Sequence, residues 1–502
     1  MIELFSPKEI RSAEKIAMNS GVDEITLMER AALGIFEAMD DWITYVGDAG
    51  IGILCGKGNN AGDGYALAHL LHQAGKTPIL YCFSPIMTPA AAHYFELCQA
   101  DGISVRTQLG NSPFADCALL VDCLFGIGFR GEVESPWKEV IEAANQSGLP
   151  IVAADIPSGL NAASGQGSLA VCASRTVAIG GYKHGHFLGR GRDVCGESWL
   201  APIGLTPMGK VRLIESKDIA PFFAPRPHDC HKGSFGTVTL LGGCLPYSGA
   251  PKLSALASAA LRSGCGIARL AVPSCIVNGV LPYLLETTLC PMPDEGGFLA
   301  YDADALQNAF KDASAGAVGM GMGQSAHNGE ILTWILKNLS IPMVIDADGL
   351  NTLASMEDLD FLHTTDCTVV LTPHPKEFSR LSGLSVKEIL SDPITHAKAF
   401  AAEYDCILLL KGTSTVITDG TDTFVVARGC GGMATAGSGD VLSGVIASLL
   451  AWNHEDSLLI VSAAAHLCGL AGEIAESKVG SVSMVASDTV GAIPEAIRQI
   501  VN

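Results

Sequence analysis

Apolar residues along the chain fall into two patterns, short continuous runs of buried-strand type and longer runs that recur at helical spacing. At the start, Ser6 and Glu9 have the spacing of a capping box, and the apolar residues that follow them predict a first helix. A second helix is predicted over residues 24–42, before a first strand over residues 50–55. This alternation of strands and helices predicts an α/β fold.

The alternation continues to the end of the chain. In the first half, further strands are predicted at residues 77–83, 118–123 and 150–155, with a helix at 65–73 and a strand-and-turn segment at 199–207. In the second half, strands are predicted at residues 237–241, 267–272, 342–348, 368–372 and 406–410, with helices at 252–262 and 441–452. No simple short repeat relates the halves, so we interpret them as separate domains.

A proline-rich segment separates the two halves. Residues 221–230 read PFFAPRPHDC, and a chain of 502 residues is too long for one ordinary core. Proline density of this kind is typical of a linker, and we place the domain boundary near Pro225. The predicted domains are residues 1–220 and 225–502.

Composition narrows the class of protein. Hydrophobic residues make up 48% of the chain and charged residues 17%, which is typical of a well-buried globular protein. The formal net charge of -21 argues against nucleic-acid binding, and it means that an anionic ligand must be held by local backbone donors. The N-terminal stretch has no apolar signal core, and polar residues such as His466 and Asn453 interrupt the longest apolar helices. We therefore expect no membrane span.

Cysteine usage indicates the redox compartment. The 16 cysteines are scattered, and no C-x-x-C pair occurs in the sequence. This distribution favours reduced, mostly buried thiols over disulfides or a metal site. We therefore expect a cytoplasmic protein.

The clearest chemical signal is the stretch GGMATAGSGD at residues 431–440, directly before the apolar run 441–452. Glycines let backbone N–H groups approach an anion, and a helix N-terminus presents unpaired donors and the positive end of its dipole. The stretch therefore predicts a phosphate-binding loop that opens a helix. Asp440 suits a base that takes a proton from an attacking hydroxyl, although a helix cap at Ser438 or Asp440 would explain the same residues.

A second glycine-rich stretch, GKGNNAGDG at residues 56–64, follows the first predicted strand. Strand, glycine-rich turn and helix in this order are the dinucleotide-type arrangement, but the pattern is not G-x-G-x-x-G. Asn59, Asn60 and Asp63 could bind a cation or a ribose, whereas a structural Asn-Gly turn with a cap at Asp63 is the alternative.

Two later strands of the first half also end in acidic residues and small-residue loops. VDCLFGIGFRG contains Asp122, and AADIPSG contains Asp155 and Ser158. Because the carboxyl ends of strands in open α/β sheets converge on one crevice, these residues and Asn60 predict a single site. Oxygen ligands without cysteine or histidine indicate a hard cation, not zinc.

Small-residue loops follow the predicted strands of the second half as well. They read VGMGMG, IDADGL, TPHPKEF and KGTST. His374 lies between two prolines and could contact a ligand, although a surface turn is the simpler interpretation on local grounds. Lys411 after a buried strand could meet a phosphate as a point charge, although lysines also end strands for solubility alone.

In this order and spacing, NNAGDG, VDCLFGIGFRG and AADIPSG, with LMERAA at residues 27–32, resemble the NAD(P)H-hydrate epimerase family over about residues 1–215. The resemblance implies interconversion of the two epimers of hydrated NAD(P)H, with Asp155 as a catalytic residue and potassium held by Asn60, Asp122 and Ser158. The implied substrate contacts are Asn59, Asn60, Ala61, Gly62, Asp63, Gly126, Ile127, Gly128, Phe129, Arg130, Gly131, Glu132 and Asp155. Ala61 stands where the family usually has glycine, a change that costs about a kcal/mol if the position needs a positive φ.

HKGSFG, GMGMG, IDADGLN, TPHPKE, KGTST and ATAGSGD together resemble the ribokinase-like NAD(P)H-hydrate dehydratase family over about residues 225–502. The resemblance implies a magnesium-dependent nucleotide site. Its implied nucleotide contacts are Lys411, Gly412, Thr413, Ser414, Thr415, Gly437, Ser438 and Gly439, and its implied substrate contacts are Ala257, Gly323, His374 and Asp440. Cys430 and Gly431 depart from the Asn-Pro that the family often has ahead of the loop.

The two resemblances together imply a bifunctional enzyme of nicotinamide-nucleotide repair. Its fold would be an N-terminal Rossmann-like three-layer α/β/α domain followed by a C-terminal ribokinase-like α/β domain. Its partners would be hydrated NADH and NADPH and ADP, less favourably ATP, with AMP and phosphate released, and we expect a homo-oligomer. The alternative is a ribokinase-like kinase for a small molecule such as a vitamin precursor, fused to a non-catalytic binding domain.

Overall fold

The computed structural model describes residues 1–85, 88–256, 262–356, 359–453 and 456–502. The chain divides into two compact units. The N-terminal unit is Glu3–Val211, and the C-terminal unit is Arg212–Asn502 together with Met1–Ile2.

Strands and helices alternate through the N-terminal unit. Its strands are β1 (Ile2–Phe5), β2 (Gly50–Cys55), β3 (Thr77–Cys82), β4 (Ser104–Arg106), β5 (Cys117–Cys123), β6 (Ile151–Ala154), β7 (Arg175–Ile179), β8 (Tyr182–Lys183) and β9 (Glu197–Ala201). Its helices are α1 (Pro7–Asn19), α2 (Glu24–Ala38), α3 (Asp40–Val46), α4 (Asn59–Gln73), α5 (Pro89–Ala100), α6 (Trp137–Gln146), α7 (His184–Phe187) and α8 (Gly191–Val194).

The central sheet of this unit has the strand order β4-β3-β2-β5-β6-β7-β9, and every neighbouring pair is parallel. Side chains on β2 alternate between the two faces of the sheet. Ile51 and Ile53 pack in a core cluster with residues of α2 and α4, whereas Leu54 packs in a second cluster with residues of α6. Helices therefore cover both faces, and the unit is a three-layer α/β/α fold.

The glycine-rich turn after β2 differs from the sequence prediction. Helix α4 begins at Asn59, so residues 59–63 lie in its first turns and not in a loop. Gly58 makes the turn instead, with a φ of 105° that glycine adopts without strain. Ala61 is buried within the helix and has no positive φ, so the conditional penalty for alanine at this position does not arise.

Helix ends in the first half partly match the sequence prediction. The capping box of α1 is confirmed, because Ser6 Oγ accepts the Glu9 N–H at 3.3 Å and the Ser6 N–H donates to Glu9 Oε2 at 2.6 Å. The single helix predicted over residues 24–42 is wrong, since α2 ends at Ala38 and α3 starts at Asp40. Both α2 and α3 present hydrophobic residues to the same core cluster, so apolar spacing alone does not reveal the break.

The C-terminal unit repeats the alternation with more elements. Its strands are β10 (Val211–Leu213), β11 (Thr237–Leu241), β12 (Ile267–Pro273), β13 (Thr288–Met292), β14 (Asp294–Glu295), β15 (Phe298–Leu299), β16 (Ala315–Val318), β17 (Met343–Ile345), β18 (Val369–Leu371), β19 (Ile407–Leu410), β20 (Thr415–Thr418) and β21 (Thr423–Val426). Its α-helices are α9 (Ser216–Ile219), α10 (Gly249–Ala255), α11 (Val277–Val280), α12 (Ala303–Ala309), α13 (Asn328–Asn338), α14 (Asp348–Ser355), α15 (Pro375–Ser382), α16 (Val386–Ser391), α17 (Pro393–Tyr404), α18 (Ser438–Trp452), α19 (Ser457–Val479) and α20 (Ala486–Val501).

The main sheet of this unit runs in the order β13-β12-β11-β16-β17-β18-β19-β20-β21. Neighbours from β13 to β19 are parallel, and β19, β20 and β21 pair antiparallel. Residues of α18, α19 and α20 pack with the strands in one large core cluster. On the other face, α17 packs against β19 and β20, and Thr239 Oγ1 of β11 donates to the Ala309 carbonyl of α12 at 2.9 Å.

Helix α19 is long and apolar enough to cross a membrane by length and composition alone. However, 89% of its apolar window is buried inside the protein. That burial is the mark of a core helix. His466 within this helix of 23 residues is also buried, and its Nε2 lies within hydrogen-bond distance of Ser216 Oγ, at 3.1 Å.

The unit boundary lies before the proline-rich segment, so the boundary predicted near Pro225 is too late. Residues between Arg212 and that proline form β10, α9 and a 3-10 helix at Ala220–Phe223. Their buried side chains in the core cluster of the C-terminal unit are Ile214, Ile219, Phe222 and Phe223. The Ile214 N–H also donates to the Val425 carbonyl at 3.0 Å. Proline content predicted an exposed linker, but the apolar residues around Pro221 anchor the segment to the core.

We expect a chain beginning at Arg212 to be more stable than a chain beginning at Pro225. The shorter chain lacks four buried apolar side chains, each of which contributes about 1.5–3 kcal/mol as an upper limit. Urea unfolding of both chains, followed by circular dichroism, measures the difference. Equal transition midpoints would show that residues 212–224 are a linker after all.

Candidate active sites

A cavity of about 570 Å³ lies at the carboxyl ends of the parallel strands in the N-terminal unit. Its wall includes residues that follow β2, β5 and β6, and α1 closes one side. The lining residues are Ile10, Arg11, Glu14, Lys57, Gly58, Asn59, Asn60, Asp63, Phe125, Gly126, Ile127, Gly128, Phe129, Arg130, Asp155 and Ile179. Parallel pairing thus assembles, at one edge, loops that are far apart in the sequence.

Most of the predicted substrate contacts line this cavity, and four do not. Ala61 and Gly62 are buried in α4, where a Cβ on Gly62 would meet Met28 Cε at 2.3 Å. Gly131 and Glu132 lie beyond the lining, and the Glu132 carboxylate instead accepts a hydrogen bond from the Ser168 hydroxyl. The side chains of α4 that do face the cavity are those of Asn59, Asn60 and Asp63.

Asp155 is held from behind by a buried lysine. It has a positive φ of 70°, and Lys183 Nζ donates to its Oδ1 and, at 2.6 Å, to the Ile179 carbonyl. The Lys183 side chain is fully buried, which makes this a buried ion pair at the wall of the cavity. His186 Nδ1 accepts the Lys183 N–H at 3.0 Å, so its Nε2 carries the proton and donates to the Asp155 carbonyl at 2.8 Å.

Burial and mutual repulsion control the charges at the floor of the cavity. Burial, together with the carboxylates of Asp155 and Glu14, raises the pKa of Asp63 well above its usual value. Burial and the charge of Asp155 likewise raise the pKa of Glu14. Burial and the Lys183 charge lower the pKa of His186 to about 4, so that its ring is neutral at pH 7. The floor therefore combines two carboxyl groups of raised pKa with the paired carboxylate of Asp155.

The three residues predicted to hold potassium differ in whether their polar side-chain atoms have hydrogen-bond partners. Asp122 is fully buried, and it accepts the Ser158 N–H at 2.7 Å and the Ser158 hydroxyl at 2.6 Å. Both side-chain atoms of Asn60 are buried without a hydrogen-bond partner among the described residues. A buried amide oxygen without a partner beside a cavity fits a cation ligand, and the all-oxygen set fits a hard cation.

Several residues at the candidate site of this unit were missed from the sequence. Lys183 and Glu14 belong to no loop at a strand end, and Arg11 and Lys57 have the side chains of ordinary surface residues. Lys183 follows the buried run at residues 175–179 by only a few positions, which is the one local signal that could have found it.

In the C-terminal unit, a second lysine–carboxylate pair lies at the ends of β17 and β19. Lys411 Nζ donates to Asp346 Oδ1 at 2.9 Å, and Ser443 Oγ of α18 donates to Asp346 Oδ2 at 2.8 Å. Burial alone would raise the pKa of Asp346, but the Lys411 charge and these hydrogen bonds lower it. Burial also opposes the Lys411 charge, yet Asp346 and Glu377 raise the Lys411 pKa. Both partners are therefore charged.

Asp440 lies in the first turn of α18, which begins at Ser438. Gly437 is the N-cap residue with a φ of 95°, and it supplies no side-chain cap, while the Ser438 hydroxyl donates to the Met433 carbonyl. Neither Ser438 nor Asp440 is therefore the helix cap. Burial, followed by the charge of Asp346, raises the pKa of Asp440 to about 7.

The predicted nucleotide contacts lie near the Lys411–Asp346 pair. Residues 411–414 form the turn between β19 and β20, and Thr415 begins β20. Gly439 is close enough that a Cβ there would lie 3.4 Å from both Asp346 Oδ2 and Lys411 Nζ. The first turn of α18 therefore directs its unpaired N–H groups to the same place as the Lys411 charge. The arrangement is that of an anion site.

The predicted substrate contacts of this unit have different positions. The Gly323 N–H donates to Asp348 Oδ2 at 2.7 Å, and a charge on Asp348 also raises the pKa of Asp440. His374 caps α15, because its Nδ1 accepts the N–H groups of Lys376 and Glu377 at 3.1 and 3.2 Å. Ala257 lies outside the described residues.

Comparison with known proteins agrees with this two-site arrangement. A family described as NAD(P)H-hydrate dehydratase matches residues 238–495, and a family described as YjeF-related protein N-terminus matches residues 24–185. The bifunctional NAD(P)H-hydrate repair enzyme Nnr of Coxiella burnetii is 33% identical over 97% of this chain and 98% of its own length. The chain belongs to the family of bifunctional NAD(P)H-hydrate repair enzymes.

Other relatives of the repair family match over most of the chain. The repair enzyme of Archaeoglobus fulgidus is 32% identical over 99% of both chains. The crystal structure of the ADP/ATP-dependent NAD(P)H-hydrate dehydratase of Bacillus subtilis, co-crystallised with ATP and Mg²⁺, is 26% identical, covers 58% of this chain and all of that one, and has a TM-score of 0.50. The predicted α/β fold class is confirmed, and the repair enzyme combines an isomerase half with a lyase half.

We expect Lys183→Met to destabilise the N-terminal unit of the repair enzyme by about 3–5 kcal/mol, because the Asp155 carboxylate is left buried without its partner. The double variant Lys183→Met with Asp155→Asn should recover most of this loss. Native-state hydrogen exchange of the β6 and β7 amides measures both changes. The matched control is Lys138→Met, an exposed lysine paired with Glu142 at 4.0 Å, which should shift stability by under about 0.5 kcal/mol. Additive losses in the double variant would show that the two side chains are not coupled.

Proposed function

We propose that the N-terminal unit interconverts the R and S hydrates of NADH and NADPH, and that the C-terminal unit dehydrates the S hydrate with ADP as phosphoryl donor. The observation that supports dehydration best is Asp440, a carboxyl group with a pKa of about 7 in the first turn of α18. A carboxylate there would repel phosphate if its role were only to bind it. A base for an attacking hydroxyl, in contrast, needs this position beside the transferring phosphoryl group.

In the proposed dehydration, Asp440 takes the proton from the ring hydroxyl while the hydroxyl oxygen attacks the terminal phosphorus of the donor. The bond from that phosphorus to AMP breaks, and Lys411 with the N–H groups of residues 437–439 stabilises the charge on the phosphoryl oxygens. The C–O bond to the ring then breaks and phosphate leaves, and loss of a ring proton restores the double bond. Phosphate is the better leaving group, which is why a nucleotide is needed.

Magnesium would enter this site with the phosphates of the nucleotide. Among the described residues, no three acidic side chains are close enough to hold a metal by themselves, so the nucleotide phosphates would provide most of the ligands. Asp346, Asp348 and Asp440 lie near enough to provide further oxygen ligands. The ion would neutralise charge on the phosphate oxygens.

We choose ADP over ATP by analogy alone, because the two activities in one chain resemble the arrangement of bacterial repair enzymes. The Bacillus subtilis dehydratase is named for both nucleotides, so ATP is the second candidate. A kinase that leaves phosphate on its product is the weaker proposal, since full-length relatives such as that of Coxiella burnetii are repair enzymes.

In the proposed epimerisation, the nicotinamide ring lies against the floor of the 570 Å³ cavity, where Asp155 faces the substrate with its geometry set by Lys183. Burial and the charges of Asp155 and Glu14 raise the pKa of Asp63 and so favour its protonated form, which would let the floor offer a proton donor beside the acceptor Asp155. Asn60, Asp122 and Ser158 would hold potassium, which would supply positive charge beside these carboxyl groups.

The direct test incubates the full chain with the S hydrate of NADH and either ADP or ATP. We expect the absorbance of reduced nicotinamide to return with both nucleotides and faster with ADP. Phosphate that stays on the nicotinamide product would instead support the kinase, and a faster reaction with ATP would reverse the choice of donor.

We expect Asp440→Asn to lower the dehydration rate by about a hundred- to ten-thousand-fold while nucleotide binding stays nearly intact. In the wild type, the base must be ionised, so the turnover number should fall about tenfold for each pH unit below 7 and level off above it. Initial rates from pH 5 to 9 and calorimetric titration with ADP measure these effects. Turnover within a few-fold of wild type in Asp440→Asn would refute the role of base.

We expect epimerisation to require potassium and to lose much of that dependence in Asn60→Ala and in Asp122→Ala. Asn60 has buried polar atoms without a partner, so its removal should weaken the ion's binding more than it weakens folding. Initial epimerisation rates in potassium and in tetramethylammonium salts give the comparison. Equal rates of the wild type in the two salts would remove the ion from the reaction.

A further inference from the structure

The cavity of the N-terminal unit is lined by carboxyl groups that are at least partly buried and by exposed basic side chains. Its floor consists of the carboxyl groups of Glu14, Asp63 and Asp155. Burial and the charge of Asp155 raise the pKa of Glu14 and Asp63, whereas Asp155 is paired with Lys183. Its lining also includes three exposed basic residues, Arg11, Lys57 and Arg130, which we call the cationic rim. The rim draws on three separate parts of the chain, namely α1, the turn after β2 and the loop after β5.

The rim is unusual for this chain. The formal net charge is -21, so a concentration of basic residues around one cavity runs against the general acidity. Among the described residues, none of the three rim side chains takes part in an ion pair or a side-chain hydrogen bond. Arg11 reaches across from α1 to the loop after β5, since its Nη2 lies 3.5 Å from the position of a Cβ on Gly128. The charge of Arg11 also opposes the rise in the Glu14 pKa, but no ion pair closes off its guanidinium among the described residues, so the rim charges face a ligand that enters the cavity.

The charges of hydrated NADH and NADPH fit this cavity in only one orientation of the substrate. The hydrated ring is uncharged, while the diphosphate that joins the two nucleosides carries two negative charges. The carboxyl groups of the floor would repel a phosphate, and the rim would attract it. The substrate should therefore enter with its ring at the floor and its diphosphate at the rim.

We propose that Arg11 and Lys57, together with Arg130, bind the diphosphate of the hydrated dinucleotide and so orient the nicotinamide ring over Asp155. This inference rests on the proposed epimerisation and adds Arg11 and Lys57, which are not among the substrate contacts implied by the sequence. Arg11 and Lys57 act through binding and touch no reacting atom. Their loss should raise KM and leave kcat nearly unchanged, because the substrate and the transition state share the same diphosphate contact.

The test uses the full chain and the variants Arg11→Ala, Lys57→Ala and the double variant. Lys15→Ala is the matched control, because Lys15 is an exposed cation on α1 outside the cavity lining. Epimerisation of the R hydrate is followed by chromatography without any nucleotide, so that the C-terminal site stays idle. Hydrated NADH and hydrated NADPH are compared, because both have the diphosphate and only the second has a further phosphate on the ribose.

We expect each rim variant to raise KM about tenfold for both substrates, with kcat within about twofold of wild type. The wild-type KM should also rise with ionic strength more steeply than that of the double variant. Dehydration of the S hydrate with ADP, unchanged in all variants, shows that the chain is intact.

Three results would overturn the proposal. If the rim variants had the same KM as Lys15→Ala, the rim side chains would contact only solvent and not the diphosphate. A rise in KM with hydrated NADPH alone would assign the rim to the ribose phosphate and not to the diphosphate. A wild-type chain that epimerises neither hydrate would refute the proposed epimerase function itself, which separates that failure from a failure of the rim.

Discussion

Parallel strand pairing is the constraint on which both sites depend. In each unit the carboxyl ends of the central strands lie at one edge of the sheet, so the loops that follow them share one space. In the N-terminal unit this edge collects the turn after β2, the loop after β5 and Asp155 after β6. In the C-terminal unit it collects Asp346 after β17 and Lys411 after β19. Neither site could be assembled from residues close in sequence.

In each site, one lysine then fixes the position of a buried carboxylate by an ion pair. Lys183 bonds Asp155 in the N-terminal unit, and Lys411 bonds Asp346 in the C-terminal unit. A buried ion pair of this kind adds little net stability, because desolvation of both groups offsets their attraction. Its value lies in geometry, since removal of either partner leaves an uncompensated charge and the remaining side chain must move.

Carboxyl groups beside these ion pairs are the proposed acid–base groups. Asp63 and Asp440 are the carboxyl groups of their sites that do not bond the lysine, and burial beside another carboxylate raises the pKa of both. A raised pKa brings a carboxyl group towards the pH at which it can exchange protons with a substrate. The same acidity repels phosphate, so in the proposed reactions the anion would be bound by backbone N–H groups in the C-terminal unit and by the cationic rim in the N-terminal unit.

The sequence alone determined the features that depend on local order. Strands at residues 50–55 and 237–241, the capping box at Ser6 and the small-residue loops at strand ends follow from residue types at fixed spacing. The structure alone decided the features that depend on distant partners. Lys183 is a buried ion-pair partner only because β8 returns it beside the end of β6, and the aromatic residues beside Pro221 are core because the C-terminal unit covers them. Spacing along a chain encodes which face a residue turns to the core, whereas the identity of the neighbour that it meets is set by how separate strands pair.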